Sequence, residues 1–317
     1  MSNPFVDQRD LVDGNAAVRV DAAVVSVTGA DRAAVLNATL SQSLLGMAPG
    51  ESREALELDG NGRIIRILHV LERNEDTLLI VPGARGEDVV EWLDKRVFME
   101  DVAATDLSDA VAVYGGTRAW GETVWTDPWP TIQPGGFTYG DETAPAWAYV
   151  ETITDAFADA PARIVDDTVL DAIRVEAGRP ALAEIDDKSL PHELDWLRTA
   201  VHLSKGCYTG QETVAKIHNV GHPPRRLVRL HLDGSDSVFA VAGDVVTVDG
   251  ESVGEITTAA VHFESGPIAL ARIKRTVPVD AGLVVTHDGV DIAATQEVIV
   301  PPTAGATAAE RLRPSRP

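Results

Sequence analysis

Cysteine is nearly absent from this chain, and long apolar runs are absent. Of the 317 residues only Cys207 is a cysteine. A single cysteine excludes an intrachain disulfide framework and any metal site built only from the cysteines of one chain. No apolar run approaches the roughly 20 residues that a membrane-spanning helix needs. Residues 1–15 are polar and acidic, without the apolar core of a secretory signal. We therefore expect a cytoplasmic protein that does not contact membranes.

Positive charge is also scarce. The chain has 27 Lys and Arg against 49 Asp and Glu, a formal net charge of −22. Such a surface repels phosphate, which argues against direct binding to nucleic acids or anionic membranes. The basic residues are unevenly spread, because Glu212 is the only acid in residues 198–231. The basic residues of this segment are Arg198, Lys205, Lys216, Arg225, Arg226 and Arg229. We expect this basic segment to receive a small anion.

The first third of the chain has the pattern of an α+β unit built on hairpins. Leu36, Leu40 and Leu44 recur every four residues, which predicts the buried stripe of a helix. Apolar and polar residues then alternate up to Asp59-Gly60-Asn61-Gly62, a turn signal that predicts a hairpin with a returning strand over 63–71. A further helix is predicted over 86–96. These elements define a first lobe, residues 1–110.

The rest of the chain predicts a second lobe and a small barrel. In residues 111–225, a strand and a Trp-, Pro- and Gly-rich region precede a helix that Asp166 or Asp167 caps and that ends at Gly178. From residue 226 about six short strands alternate with Asp-Gly turns, which is typical of a small antiparallel β-barrel. We expect this barrel to span residues 226–302, a disordered tail to follow over 303–317, and the two α+β lobes to interleave where the fold requires it.

The most unusual window surrounds Cys207. Gly206 and Gly210 flank the cysteine closely, so the backbone can turn sharply and approach a ligand. A helix is predicted to begin near Gln211, and Lys205 lies two residues before the cysteine, so a thiolate would be electrostatically favoured. Two interpretations stay open: a reactive or ligand-touching thiol, and a small buried hydrophobe.

Residues 205–212 read KGCYTGQE and resemble the K-G-C-Y-x-G-Q-E motif of the YgfZ family. Residues 174–180, RVEAGRP, resemble an R-x-E-x-G-x-P element shared by that family and its relatives, which include the glycine-cleavage aminomethyltransferase. Residues 27–31 and 58–64 match the wider group as well. The resemblance runs from about Asp21 to about Pro301.

The resemblance implies a fold and a ligand. It implies an α+β, three-lobed aminomethyltransferase-like fold around a central hole that holds tetrahydrofolate, with a small C-terminal antiparallel β-barrel. The residues that it makes candidates for folate binding are Arg66, Arg174, Glu176, Lys205, Gly206, Tyr208, Gly210, Gln211 and Glu212. Glu176 is the candidate partner of the pterin ring, whose adjacent N–H donors suit a carboxylate.

The resemblance also implies a role in iron–sulfur cluster assembly or repair, in support of cluster enzymes that include tRNA-modifying ones. Folate and iron–sulfur client or assembly proteins are the implied partners, and Cys207 is the candidate reactive thiol. A lone thiolate cannot hold a four-iron cluster, so we expect no stably bound metal or cluster in the isolated chain.

One departure from the wider group bears on activity. Residues 62–67 resemble a G-G-I-x-D-D pattern of the aminomethyltransferases, in which the last two residues are aspartates. In this sequence Arg66 and Ile67 occupy those two positions. Neither a cation nor a hydrocarbon replaces a general base, so glycine-cleavage activity is not expected. Two alternatives to the cluster role stay open. They are a folate-dependent one-carbon transferase or demethylase acting on an unknown amine, which an acid facing the folate would favour, and a folate-sensing interaction protein.

Overall fold

The computed structural model describes residues 3–143, 146–235 and 237–308. The N-terminal segment forms helix α1 (Pro4–Val12) and strand β1 (Ala16–Arg19). Asn3 caps α1 by accepting a hydrogen bond from the backbone N–H of Phe5 at 3.0 Å, and Pro4 occupies the first helical position, where a missing N–H costs nothing.

The first sheet contains the predicted hairpins. Its strands are β2 (Ala22–Thr28), β3 (Ser52–Leu58), β4 (Ile64–Glu72), β5 (Asp76–Pro82) and β6 (Ala103–Asp106), in the spatial order β3-β4-β5-β2-β6 and all antiparallel. Asp59 fixes the β3–β4 turn, because its carboxylate accepts from the backbone N–H groups of Asn61 and Arg63, both at 2.8 Å. The predicted hairpin is therefore present.

Two helices, α2 (Arg32–Thr39) and α3 (Gly86–Asp94), pack against this sheet through residues that include Leu36 and Leu93. The predicted stripe is only partly helical, since Leu40 is extended and ends α2. Leu40 and Leu44 are nevertheless buried with Leu36. The apolar spacing thus identified core residues correctly but extended the helix too far.

The second sheet combines the N-terminus with the middle of the chain. Its later strands are β7 (Val111–Gly116), β8 (Val124–Thr126), β9 (Val150–Asp155) and β10 (Arg163–Val165), and β1 lies between β10 and β7. Strand β1 therefore belongs to the second sheet, although it precedes every strand of the first sheet in the sequence. Helix α4 (Asp167–Glu176) follows, capped by Asp166 and ended by Gly178 at φ 63°.

Helix α5 (Gln211–Asn219) leads into a closed six-stranded barrel. The strands are β11 (Arg225–Leu232), β12 (Val245–Val248), β13 (Glu251–His262), β14 (Gly266–Lys274), β15 (Leu283–His287) and β16 (Val290–Val298), all paired antiparallel. Asp249-Gly250 and Asp288-Gly289 make two of its turns, and all four residues have the positive φ of a tight hairpin turn. The predicted α+β fold with a C-terminal barrel is confirmed.

The beginning of the predicted tail is ordered against α5. Thr307 donates to the carbonyl of His218 at 2.9 Å, and His222 Nδ1 lies 2.6 Å from the carbonyl of Ala304, which is 1% exposed. The prediction of disorder is therefore wrong for residues 303–308, because these residues pack on a helix that only the fold brings near. The remaining residues of that prediction, 309–317, lie outside the described part of the chain.

The three units share one core cluster. It includes Leu56 and Ile67 from the first sheet, Ile153 from the second sheet and Leu227 from the barrel. Within the described ranges, no helix is long and apolar enough to cross a bilayer.

Candidate functional site

A cavity of about 210 Å³ lies where the first sheet, the second sheet and α4 meet. The rings of Trp147 and Tyr149 and the aliphatic side chains of Ile67 and Leu170 form its apolar walls. Its ionisable lining residues are Glu54, His69, Asp127, Glu151, Asp167, Asp171, Arg174 and Arg179. Because so many ionisable groups are gathered around a small cavity that is partly open to solvent, we take this central cavity as the candidate site.

Arg179 joins two carboxylates of the cavity wall. Its Nη2 donates to Glu54 at 2.6 Å and its Nε to Asp127 at 2.9 Å, and the guanidinium lies over the ring of Trp129. Burial alone would lower the pKa of Arg179, but the two carboxylates hold this pKa above its usual value. The group is therefore a permanent ion triad that fixes the wall of the cavity.

His69, on β4, forms a second ionisable group with Glu151 on β9. The Nδ1 atom of His69 lies 2.8 Å from Glu151, whose other carboxylate oxygen accepts from Tyr149 at 3.2 Å. The imidazole stacks on Trp125 with ring centroids 3.8 Å apart. Burial opposes the charged imidazole, but the Glu151 carboxylate raises the pKa of His69 above its ordinary value of 6.5. The carboxylate therefore favours the charged, proton-donating form of the imidazole.

Arg174 and Asp171 lie on the face of α4 that lines the cavity, since residues three and four apart share a helix face. Arg174 donates to Glu184 at 2.6 Å and to Asp171 at 2.8 Å, and its side chain is 7% exposed. The Asp171 side chain is 40% exposed. Asp171 is therefore a carboxylate held in place by Arg174 that still has room for another donor.

Larger grooves also lie outside this centre, including two of about 600 Å³ or more. One, of about 600 Å³, is lined by Arg19, Arg85 and Asp106, among others. The other, of about 620 Å³, is lined largely by apolar residues and shares Trp147, Tyr149 and Leu170 with the central cavity. Neither gathers buried ion pairs as the central cavity does.

Most of the predicted folate-binding residues do not line the central cavity. Of the nine predicted folate-binding residues, Arg174 alone lines the central cavity. Glu176 points elsewhere, towards Arg229 of the barrel at 3.4 Å. Arg66 donates to Glu57 at 2.6 Å instead of adding positive charge to the cavity.

Lys205 is hydrogen-bonded to the backbone of the first lobe. Its ammonium donates to the carbonyls of Asn37, Leu40 and Gln42 at 2.5, 2.6 and 2.8 Å. These carbonyls lie at and just beyond the end of α2, where backbone acceptors lack helical partners. Lys205 therefore anchors its loop to the first lobe.

The rest of the KGCYTGQE segment packs against the β3–β4 turn. Gly62 and Gly210 both have positive φ, and a Cβ on Gly210 would come within 2.6 Å of the Asp59 carbonyl. Gly210 is therefore required by a close approach of two backbones rather than by a ligand. Gln211 donates to the Lys205 carbonyl at 3.2 Å, whereas Tyr208 is buried in the shared core.

Cys207 is a free thiol and is exposed on this loop, as are its neighbour Gly206 and Glu212. The alternative of a small buried hydrophobe is therefore wrong. Cys207 does not line the central cavity either, so contact with a ligand bound there is not part of this geometry.

The prediction that the basic segment receives an anion is also wrong for its arginines. Arg198 pairs with Asp195 at 3.0 Å, and Arg225 pairs with Asp186 and Glu193 at 2.7 and 2.8 Å. Further acids and acceptors come from β16, where Glu297 pairs with Arg229 and Gln296 accepts from Arg226. All of these partners lie outside residues 198–231, so the segment has an excess of positive charge in the sequence while its arginines are paired in the fold.

The sequence did not single out His69, Glu151 or Asp171. Two local signals were available in the sequence. His69 follows Ile67 by two residues on one strand, so the two side chains share a face of the sheet. Asp171 precedes Arg174 by three residues on one helix, so these two side chains share a helix face. Glu151 had no such signal, because only the packing of the two sheets brings it to His69. Among the described residues, no cluster of three His, Cys, Asp or Glu side chains is arranged to hold a metal ion.

Comparison with curated proteins gives three informative relatives. The chain is 28% identical over 309 residues to an aminomethyltransferase of Streptomyces avermitilis, covering 86% of this chain and 81% of that protein. It is 24% identical over 270 residues to the tRNA-modifying protein YgfZ of Aliivibrio fischeri, covering 79% and 82%. It is also 24% identical over 262 residues to a putative chloroplastic transferase of Arabidopsis thaliana, covering 74% of this chain and 59% of that protein. No family model matches the chain.

A solved structure has the same fold. Aminomethyltransferase T of the glycine cleavage system from Bartonella henselae superposes with a TM-score of 0.71 at 16% identity, covering 95% of this chain and 90% of that one. Together with the relatives, this superposition confirms the resemblance that the motifs indicated and the fold class that it implied.

Proposed function

We propose that this chain, a YgfZ-like relative of the aminomethyltransferases with the fold of aminomethyltransferase T, binds a reduced folate in its central cavity. The observation that carries the proposal is the junction of flat aromatic walls and ionisable groups around about 210 Å³. This volume suits a bicyclic ring rather than a whole folate, whose remaining part would extend out of the cavity. The relatives, one of which is an aminomethyltransferase, support the same ligand class.

The residues present fit a pterin ring. Asp171 offers a partly exposed carboxylate for the ring N–H donors, the role that the sequence had suggested for Glu176. Trp147 and Tyr149 offer aromatic surface for the ring faces. His69 offers a hydrogen-bonding nitrogen at the same cavity.

Calorimetric titration of tetrahydrofolate into the purified full-length chain tests this assignment. We expect saturable binding with one site per chain. The aromatic wall supplies a second readout, since quenching of tryptophan fluorescence should saturate at the same ligand concentration. A titration without heat and without quenching would contradict folate binding.

We further propose that the folate-bound protein acts in iron–sulfur cluster assembly or repair in the cytoplasm, in support of cluster enzymes that include tRNA-modifying ones. The relative named as a tRNA-modifying protein supports this proposal. The net charge of −22 disfavours direct contact with RNA, so the link to tRNA would run through a client enzyme. The exposed thiol of Cys207 is accessible to such a client, and a single thiolate requires that any cluster be shared with it.

Gene deletion followed by complementation tests the cluster role. Deletion should lower the activity of iron–sulfur enzymes, and the wild-type gene should restore it. Cys207→Ala should not restore it, whereas Ser204→Ala, a matched change at another exposed position of the same loop, should. Full restoration by Cys207→Ala would remove the thiol from the mechanism, and unchanged cluster enzymes in the deletion strain would contradict the role itself.

The cavity also favours the second candidate, a folate-dependent one-carbon transferase or demethylase. The aspartate positions of the aminomethyltransferase pattern are lost at Arg66 and Ile67, yet Asp171 and Glu151 place other carboxylates at the cavity. Formation of formaldehyde or of methylene-tetrahydrofolate from methylated amines by the purified protein would support this candidate. Absence of both products across a panel of methylated amines would contradict this second candidate and favour the role in iron–sulfur cluster assembly or repair.

A further inference from the structure

The imidazole of His69 is held in one orientation. Its Nδ1 is bonded to Glu151, and its ring is stacked on Trp125, which is itself fixed by donating from Nε1 to the Arg53 carbonyl at 2.8 Å. Glu151 is fixed in turn by Tyr149. Rotation of the imidazole would break the stack and the bond to Glu151, so the ring presents one nitrogen only.

The remaining nitrogen, Nε2, has no hydrogen-bond partner within the described part of the chain. His69 lines the central cavity. A carboxylate bonded to one nitrogen of an imidazole fixes which nitrogen is left for a ligand and makes that nitrogen more basic. His69 therefore has Nε2 to offer to a molecule in the cavity.

The carboxylates that act on His69 come from three elements of the fold. Glu151 comes from the second sheet, Glu54 from β3 and Asp127 from the segment after β8, and all three stabilise the imidazolium. Arg179 lines the same cavity and is bound to Glu54 and Asp127. Asp167, Asp171 and Arg174 line it from α4. Tyr149 stays neutral because burial and Glu151 raise the pKa of its phenol well above 10. The net effect of these carboxylates is to raise the pKa of the His69 imidazole and so to favour its charged form.

We propose that His69, oriented by Glu151, exchanges a proton with the molecule in the central cavity, and that this molecule presents a proton-accepting nitrogen or oxygen atom to Nε2. In the forward step the Nε2–H bond breaks, the proton bonds to the ligand atom, and the imidazole becomes neutral while its Nδ1 keeps the hydrogen bond to Glu151. The imidazole regains a proton from solvent when the ligand leaves. This inference rests on the proposed function and gives the bound folate an acid–base partner.

Proton uptake on binding measures this exchange directly. Tetrahydrofolate is titrated calorimetrically into the full-length protein in buffers of different ionisation enthalpy, at pH values from about 6 to about 9, where carboxylates stay ionised. We expect little uptake at the acidic end, because His69 is already charged, and uptake rising towards one proton per ligand at the alkaline end. Binding without uptake at any pH overturns the inference and leaves folate binding intact, whereas no binding at all overturns the proposed function and this inference with it.

Three variants assign the proton. His69→Gln should abolish the rise in uptake, and His231→Gln should retain it, since His231 pairs with Glu297 on the barrel and not in the cavity. Glu151→Gln keeps an acceptor for Nδ1 but removes the charge, so the rise should move to lower pH. Wild-type uptake in His69→Gln would assign the proton to another group. If His69→Gln does not fold, the pH profile of proton uptake by the wild type and its shift in Glu151→Gln still test the inference.

Discussion

Replacing Asp171 by asparagine should weaken folate binding without unfolding the protein. Asp171 lines the central cavity and accepts from the Nε and Nη2 atoms of Arg174 through one carboxylate oxygen, at 3.1 and 2.8 Å. Asparagine keeps an oxygen for Arg174 but replaces the second acceptor with an N–H₂ donor. A pterin N–H facing that position would then meet a donor rather than an acceptor.

The size of the effect follows from the exposure of the carboxylate. A hydrogen bond to a charged group contributes about 1.5–3 kcal/mol when it is buried. The Asp171 side chain is 40% exposed, so solvent screening reduces this contribution. We expect a loss of about 1–2 kcal/mol, which is roughly a 5- to 30-fold increase in Kd.

Calorimetric titration with tetrahydrofolate measures the loss, and urea denaturation checks that the variant is folded. Glu176→Gln is the matched control, because it makes the same kind of change on the same helix at a residue that faces Arg229 rather than the cavity. We expect its Kd to equal that of the wild type. The reasoning would be refuted by wild-type affinity in Asp171→Asn, or by a loss confined to Glu176→Gln.

Three further predictions concern stability. Lys205→Met should lower the free energy of unfolding by about 2–3 kcal/mol in urea titrations, because three carbonyls lose a charged donor; a change below about 0.5 kcal/mol would mean that Lys205 does not anchor the loop. Arg179→Met should lower the free energy of unfolding by about 3–5 kcal/mol, since Glu54 and Asp127 would stay buried without a counter-charge. A nearly unchanged free energy of unfolding would show that Arg179 is not needed to compensate these two carboxylates. Burial lowers the pKa of His192 to about 3, so the unfolded chain gains a proton below about pH 6.5 that the folded chain does not, and stability falls on acidification. Thermal unfolding between about pH 7 and 4 should show a shallower fall for His192→Gln, and equal slopes would rule out a neutral buried His192.

Local patterns in the sequence predicted much of the fold. The Asp59–Gly62 turn, the Asp166 cap and the Asp-Gly turns of the barrel all appear in the structure. Each depends on residues a few positions apart, so the information needed to predict them lies within a short window. The KGCYTGQE segment likewise pointed to the correct relatives.

The chemical roles of that segment were predicted less well. Gly210 resembles a ligand-approach glycine in sequence, but in the structure it allows two backbones to pass closely at the β3–β4 turn. Lys205 resembles an anion-binding cation, but it binds the carbonyls that follow α2. Both partners lie more than a hundred residues away along the chain, where no local pattern could reveal them.

By itself, the sequence determined which segments form hairpins, capped helices and barrel strands. Whether the thiol of Cys207 is buried or exposed was left open by the sequence and decided by the structure. Only the tertiary structure decided which charges remain available for a ligand. An arginine or a carboxylate is neutralised by whatever the fold packs against it, and this partner is set by sheet packing rather than by neighbouring residues. Arg229 is therefore paired with Glu297, whereas His69 and Asp171 face the central cavity.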